Sequence, residues 1–151
     1  MTNRLALAIL ALAGLFISLY LWLYKLGKIG TIACGTGGCE TVQLSVQSRF
    51  LGVEVALIGG LGYGGLLILS LLALSPRFAG LSWPLRWLIV LSGVAVLFTL
   101  YLKYLELFVI HAICRWCVGS AVIIVAMFVI SLREVLGTRR SALGARQGDD
   151  G

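Results

Sequence analysis

Four cysteines are the residues of this chain best suited to chemistry, and they fall into two pairs. Cys34 and Cys39 enclose a glycine-rich turn, Gly35-Thr36-Gly37-Gly38, while Cys114 and Cys117 enclose Arg115-Trp116 in a Cys-x-x-Cys motif. Residues three apart share a helix face, so a helix opening at Cys114 would place both sulfurs together. The partial positive charge of a helix N-terminus stabilises thiolate and lowers a thiol pKa, and Arg115 adds a second positive charge. Thiolate is the attacking species in thiol–disulfide exchange, so this second pair is built to pass electrons. Glycines permit left-handed backbone angles and tight closure. The first pair therefore reads as a mobile loop pair, open to a soluble partner and able to swing towards the second. Two other uses of four cysteines stand beside this one. They could be two structural staples, although a staple inside one helical turn constrains a bundle little. They could hold zinc through four thiolates, although the pairs lie far apart in the chain.

The elements that must position these sulfurs are membrane helices. The chain is 60% hydrophobic with a mean hydropathy of +1.05, against ~45–50% apolar residues in soluble domains. A bilayer core takes about 20 apolar residues per helix, and four runs qualify: 5–24, 55–74, 87–110 and 114–132. The first is too long for the apolar region of a signal peptide, and no small-x-small cleavage site clearly follows it, so it reads as a retained helix. The expected fold is an all-α integral membrane bundle of four transmembrane helices over residues 1–133. His111 and Ala112 leave almost no loop between the last two. The long connection, 25–52, carries the first cysteine pair. Within it Val42, Val46, Phe50 and Leu51 recur at helical spacing, which suggests a short amphipathic helix on the membrane surface, with a plain surface loop as the alternative. Residues 134–151 are polar, rich in glycine and end near Asp149-Asp150; they are expected to be a disordered tail.

The net charge of +6 does not indicate nucleic acid, because the basic residues flank apolar runs and form no stripe interleaved with aromatics. They set topology instead. With the N-terminus inside, Arg4, Arg77, Arg86, Arg133, Arg139, Arg140 and Arg146 lie inside, and Lys25, Lys28, Arg49 and Arg115 outside. The positive-inside rule then puts both termini in the cytoplasm of a cell inner (plasma) membrane and both cysteine pairs outside it, where disulfides persist. Cys117 sits one turn deeper than Cys114, nearer the hydrocarbon. A lipid-soluble quinone, flat and accepting the two electrons a dithiol gives up, is the fitting end acceptor.

Other residues invite weaker readings. Gly59, Gly60, Gly62, Gly64 and Gly65 suit close helix packing, and could also leave room for a flat ligand. Lys103 and Glu106 can pair at i,i+3; charges in a membrane segment hint at function, but near the outer interface the favoured reading is that they snorkel as anchors. His111 beside Cys114 is a structural residue or a local acid or base. Trp116 belongs to the interfacial aromatic belt or lines a quinone pocket.

Taken together, residues 5–133 resemble the vitamin K epoxide reductase family in its small bacterial form. The resemblance rests on Cys34 and Cys39, Ser45 six residues later, Phe50-Leu51-Gly52-Val53, Gly62-Tyr63, and Cys114-Arg115-Trp116-Cys117 opening the last helix. In disulfide bond formation protein B the Cys-x-x-Cys comes first rather than last. The resemblance implies a quinone-dependent thiol–disulfide oxidoreductase. A secreted thioredoxin-like oxidoreductase would give electrons to Cys34–Cys39. A loop thiolate would attack Cys114–Cys117 at Cys114, and the freed Cys117 would reduce ubiquinone or menaquinone. Ser45 would lie over the quinone, with Trp116 and Cys117 beside it. Three departures are visible. The loop spacing is shorter than in many relatives, Glu54 stands where bacterial relatives often have proline, and the absence of a fused thioredoxin-like domain implies a partner acting in trans.

Overall fold

The computed structural model describes residues 2–35, 38–78 and 82–147. Thr36 and Gly37 of the glycine-rich turn, and the tail residues Gly148, Asp149, Asp150 and Gly151, lie outside the described residues.

Four helices are long and apolar enough to cross a membrane. They are α1 (Thr2–Lys25), α3 (Val55–Leu74), α4 (Trp83–Leu105) and α5 (Arg115–Gln147); the short α2 (Gly38–Leu44) lies between α1 and α3. The spans hold long runs of Leu, Ile, Val and Ala. In hydrocarbon the backbone must satisfy itself, which leaves the helix as the available form. Pro84 is the one proline inside a spanning helix, and it sits in the first turn of α4, where its missing N–H is not needed. α1 packs on α3 and α5, and α4 packs on the same two, so the helices close a ring. Leu7, Ala11, Leu66, Leu88 and Met127 fill its centre. Gly14 is required there, because a Cβ would overlap the ring of Tyr63. The Tyr63 hydroxyl reaches across to Ser120 on α5, 2.9 Å from its carbonyl oxygen. Large apolar side chains such as Phe16, Leu61, Leu97 and Val122 face outwards, as a lipid-facing surface requires.

The connection between α1 and α3 does hold a short helix, α2, with Cys39, Val42 and Gln43 buried, but it ends sooner than the apolar spacing suggested. α2 ends at Leu44, a 3₁₀ turn covers Val46–Ser48, and β1 (Arg49–Phe50) pairs antiparallel with β2 (Val53–Glu54). Leu51 and Gly52 form the hairpin tip, both with positive φ, as a two-residue hairpin turn demands. Val42 is buried, but Val46 and Leu51 are 86% and 90% exposed, so these residues share no buried helical face. Apolar spacing suggested one helix; the Leu-Gly turn chemistry overrode it.

The tail is the second departure. α5 does not stop at Leu132 but runs on to Gln147. An established helix extends without a new nucleation step, and Arg133, Arg139, Arg140, Ala142 and Leu143 are good helix formers. The extension is also tied down. Glu134 accepts a hydrogen bond from Asn3 (2.8 Å) and pairs with Arg4 at 3.5 Å. Arg4 in turn donates to the Ala73 carbonyl at 2.8 Å, joining α1, α3 and α5 at the end away from the cysteines.

At the cysteine end, α4 continues as a π-helical turn over Glu106–Ile110. His111 closes it at φ 54°, a left-handed conformation that histidine adopts more readily than most residues. The backbone N–H groups of His111 and Ala112 both donate to the Glu106 carbonyl. Three residues later α5 begins.

Candidate redox site

All four cysteines lie at one end of the bundle. Cys34, Cys39 and Cys114 share a buried cluster with Leu21, Ile32 and Val42, and Cys117 packs against it. Cys34 and Cys39 are joined as a disulfide with their Cα atoms 6.0 Å apart, while Cys114 and Cys117 are free thiols.

The glycines of the turn have separate tasks. Gly35 takes a left-handed φ of 69°, with the Arg115 guanidinium alongside. A Cβ on Gly38 would stand 2.5 Å from the Ile113 carbonyl oxygen. The start of α2 therefore lies directly against the segment that carries Cys114, and only glycine allows that approach. This is what holds the loop disulfide beside the second pair.

The loop pair does not face water as expected. Cys34 is 4% exposed and Cys39 is fully buried. The apolar side chains of Ile32 and Val42 draw the loop inwards, and two aromatic residues clamp it. The Ala33 N–H donates to the Tyr20 hydroxyl at 3.2 Å, and the Trp116 indole N–H donates to the Ala33 carbonyl at 3.2 Å. Tyr20 and Trp116 also touch, with ring centroids 5.3 Å apart.

Cys114 is the N-cap of α5. Its carbonyl accepts from the Val118 N–H, and its sulfur lies 3.3 Å from the Cys117 N–H, which donates to it. That is the cap geometry by which a side chain satisfies a free N–H of the first turn. A hydrogen bond from the Cys117 thiol, with this backbone bond, holds the Cys114 pKa below the ordinary thiol range despite burial.

Cys117 lies on the wall of a mainly apolar cavity of about 480 Å³ between the helices, within the ~300–1,000 Å³ of small-molecule sites. Gln43, Tyr63, Lys103, Glu106 and Ser120 are among the polar residues on that wall. Gln43 is buried, and its side-chain amide stands 4.0 Å from the Cys117 sulfur. The glycines of α3 divide by role. Gly59 packs on Ser18, while Gly62 lies on the cavity wall with open space where a side chain would be.

Two expected ligand residues are elsewhere. Ser45 is not among the residues lining the cavity; its hydroxyl donates back to the Val42 carbonyl at 2.7 Å, capping the end of α2. Trp116 is likewise absent from the lining, because its indole N–H is committed to Ala33. The sequence reading missed Gln43, one residue beyond a recognised apolar position; it expected the Lys103–Glu106 pair, which the structure holds, but favoured anchoring over function for it. Glu106 is in fact buried, paired with Lys103 at 2.5 Å. Its carboxylate and the sulfurs of Cys114 and Cys117 all lie within 4.8 Å of one another. Three such groups could ligate a metal, but the Lys103 ammonium already occupies the carboxylate and opposes a cation.

The arrangement connects a disulfide, a dithiol and an apolar cavity through adjacent atoms, the layout of a membrane oxidoreductase working through cysteine pairs. Comparison with known proteins agrees. The model of the Vitamin K epoxide reductase family matches residues 5–132, which takes in all four cysteines and the apolar length of every spanning helix. The chain belongs to the vitamin K epoxide reductase family.

Proposed function

We propose that this protein takes electrons from a reduced thioredoxin-like partner, acting in trans on the extracytoplasmic face of the plasma membrane, and passes them to a membrane quinone, ubiquinone or menaquinone. The observation that carries this reading is the position of the Cys114/Cys117 pair. Cys114 is packed with the loop disulfide, and Cys117 opens on the apolar cavity. A pair so placed can receive electrons on one side and deliver them on the other.

The steps balance. The partner's dithiol reduces Cys34–Cys39 and is itself oxidised to a disulfide. The loop dithiol then reduces a Cys114–Cys117 disulfide by exchange, regenerating the loop disulfide. The Cys114/Cys117 dithiol gives two electrons to the quinone, which gains two protons and leaves as quinol. A bonded loop pair beside free Cys114 and Cys117 corresponds to the stage just before quinone reduction. The cavity supports the assignment of the acceptor. It is apolar enough for an isoprenoid quinone, leaves space over Gly62 for a flat ring, and offers the amide of Gln43 to a carbonyl oxygen.

The test is quinone reduction by the purified protein in nanodiscs, with a reduced thioredoxin-like donor and single Cys→Ala variants. Cys117→Ala should abolish turnover. Cys34→Ala and Cys39→Ala should lose the protein donor but keep activity with a small dithiol. Full turnover by Cys117→Ala overturns the reading.

A further inference from the structure

The quinone chemistry moves protons as well as electrons, and the two thiols of the second pair are not equally equipped to release theirs. Cys114 has the Cys117 N–H to stabilise its thiolate. Cys117, one turn into α5 and on an apolar wall, has no comparable backbone donor among the described residues; its neighbour Gln43 stands at 4.0 Å. Beside it is the carboxylate of Glu106, paired with Lys103. Glu106 is 4% exposed, lies within 4.8 Å of both sulfurs and borders the same cavity. An ionisable residue within a membrane segment is costly and is retained there for function. The Lys103 ammonium holds Oε2 at 2.5 Å, which compensates the buried charge. The π-helical turn that starts at Glu106 and the left-handed His111 bring α5 back against it.

We propose that Glu106 is the proton acceptor for the Cys117 thiol and passes that proton to the reduced quinone, with Lys103 as its positioning residue. The proposal rests on the quinone reading above. As the S–S bond between Cys114 and Cys117 forms, the Cys117 S–H bond breaks and its proton goes to Glu106, while the electron pair goes to the quinone. One quinol proton comes from Glu106. The other comes from water at the cysteine end, which received the proton Cys114 released on ionising. The acid is thereby returned to its carboxylate form for the next cycle. The titratable groups facing Glu106 are Lys103 from α4, Cys114 and Cys117 from α5, and Tyr63 from α3 across the cavity; the loop cysteines are bonded and do not titrate.

The experiment is single-turnover oxidation of pre-reduced protein in a Cys34→Ser/Cys39→Ser background, so that only the Cys114/Cys117 pair can close, in nanodiscs by short-chain ubiquinone and menaquinone analogues, from pH 5.5 to 9.5. Loss of a general base typically costs about 10²-fold or more. Glu106→Gln should therefore be slowed about 10²-fold at neutral pH, recover as pH rises and solvent takes over, and be partly restored by Glu106→Asp. Lys103→Met should move the pH profile without abolishing turnover. A second arm uses no quinone: closure of the reduced pair by a small disulfide also needs the Cys117 proton removed. If the native protein reduces neither quinone, the acceptor reading fails, and this arm still tests Glu106 by the same slowing and the same recovery. A neutral-pH rate equal to native in both arms overturns the proposal. So does a loss that neither high pH nor Glu106→Asp relieves, since that marks a structural role.

Discussion

The buried loop disulfide poses an access problem, and the aromatic clamp on Ala33 gives it a measurable size. A protein partner cannot reach sulfurs that are 4% exposed and fully buried, so the loop must open before exchange. Closing is favoured by the two hydrogen bonds at Ala33, each 3.2 Å long and each near the surface. A protein hydrogen bond contributes about 0.5–1.5 kcal/mol net, and exposed ones fall in the lower half of that range. The double variant Tyr20→Phe/Trp116→Phe removes both while keeping two aromatic rings at these positions, and so should ease opening by about 1–2 kcal/mol. At 1.4 kcal/mol per tenfold, the open fraction rises roughly 5- to 30-fold. Where opening is fast relative to attack, the rate of reduction by a protein-sized dithiol follows that fraction. The assay is reduction of Cys34–Cys39 by a reduced thioredoxin-like donor, quenched by alkylation and read by mass. Each single variant should give about half the effect in free-energy terms. A small dithiol should gain less, because it needs a smaller opening. An unchanged rate with the protein donor would refute the clamp.

Three further outcomes rest on the geometry at Cys114 and Gly38. In a Cys34→Ser/Cys39→Ser background, alkylation of Cys114 should show a pH midpoint below the ordinary thiol value of about 8.5, and Cys117→Ala should move it upward by removing the larger stabilising hydrogen bond. Because the folded-state pKa is depressed, the ionised thiol stabilises the reduced protein fully above the unfolded thiol pKa, and that contribution is lost as pH falls through the folded value; thermal midpoints of the reduced protein against Cys114→Ser should converge at low pH. Gly38→Ala places a Cβ 2.5 Å from the Ile113 carbonyl, a backbone atom that cannot step aside. Overpacking of this kind costs about 1–3 kcal/mol. Exchange between the loop dithiol and a Cys114–Cys117 disulfide should slow about tenfold or more in rapid-quench measurements, while reduction of the loop pair itself continues.

The spanning helices were legible because apolar length is a local property: 55–74 was bounded to the residue, and 5–24 lay inside α1 with its ends within a few residues. The position of Cys114 at the start of α5 was equally legible, since a Cys-x-x-Cys opens that apolar run. What escaped depends on contacts across the chain. Val42, Val46 and Phe50 carry a helical period, but the Leu51-Gly52 turn breaks it, and nothing in the period announces a hairpin. The helical tail is held by Glu134 meeting Asn3 and Arg4, residues 131 and 130 positions away. Trp116 was recognised as an aromatic of interest, yet its partner is a loop carbonyl that no motif marks. The burial of Glu106 escaped for the subtlest reason. Counting turns along an α-helix places it near the interface, but a π-helical turn and a left-handed histidine set its surroundings, and neither has a signature in residue type alone.

The short path from Lys103 to Ser120 has a consequence for how such a protein can change over time. Glu106, its partner Lys103, both thiols and the Ser120 hydroxyl that anchors Tyr63 all fall within eighteen consecutive residues, joined by a turn with almost no slack. Most of the remaining cavity wall is supplied by α1, α2 and α3. Reactivity and fit are thus written in different parts of the gene. Substitutions at positions such as Gly62, Ile17 or Gln43 can reshape the cavity while Lys103, Glu106, Cys114 and Cys117 keep their spacing.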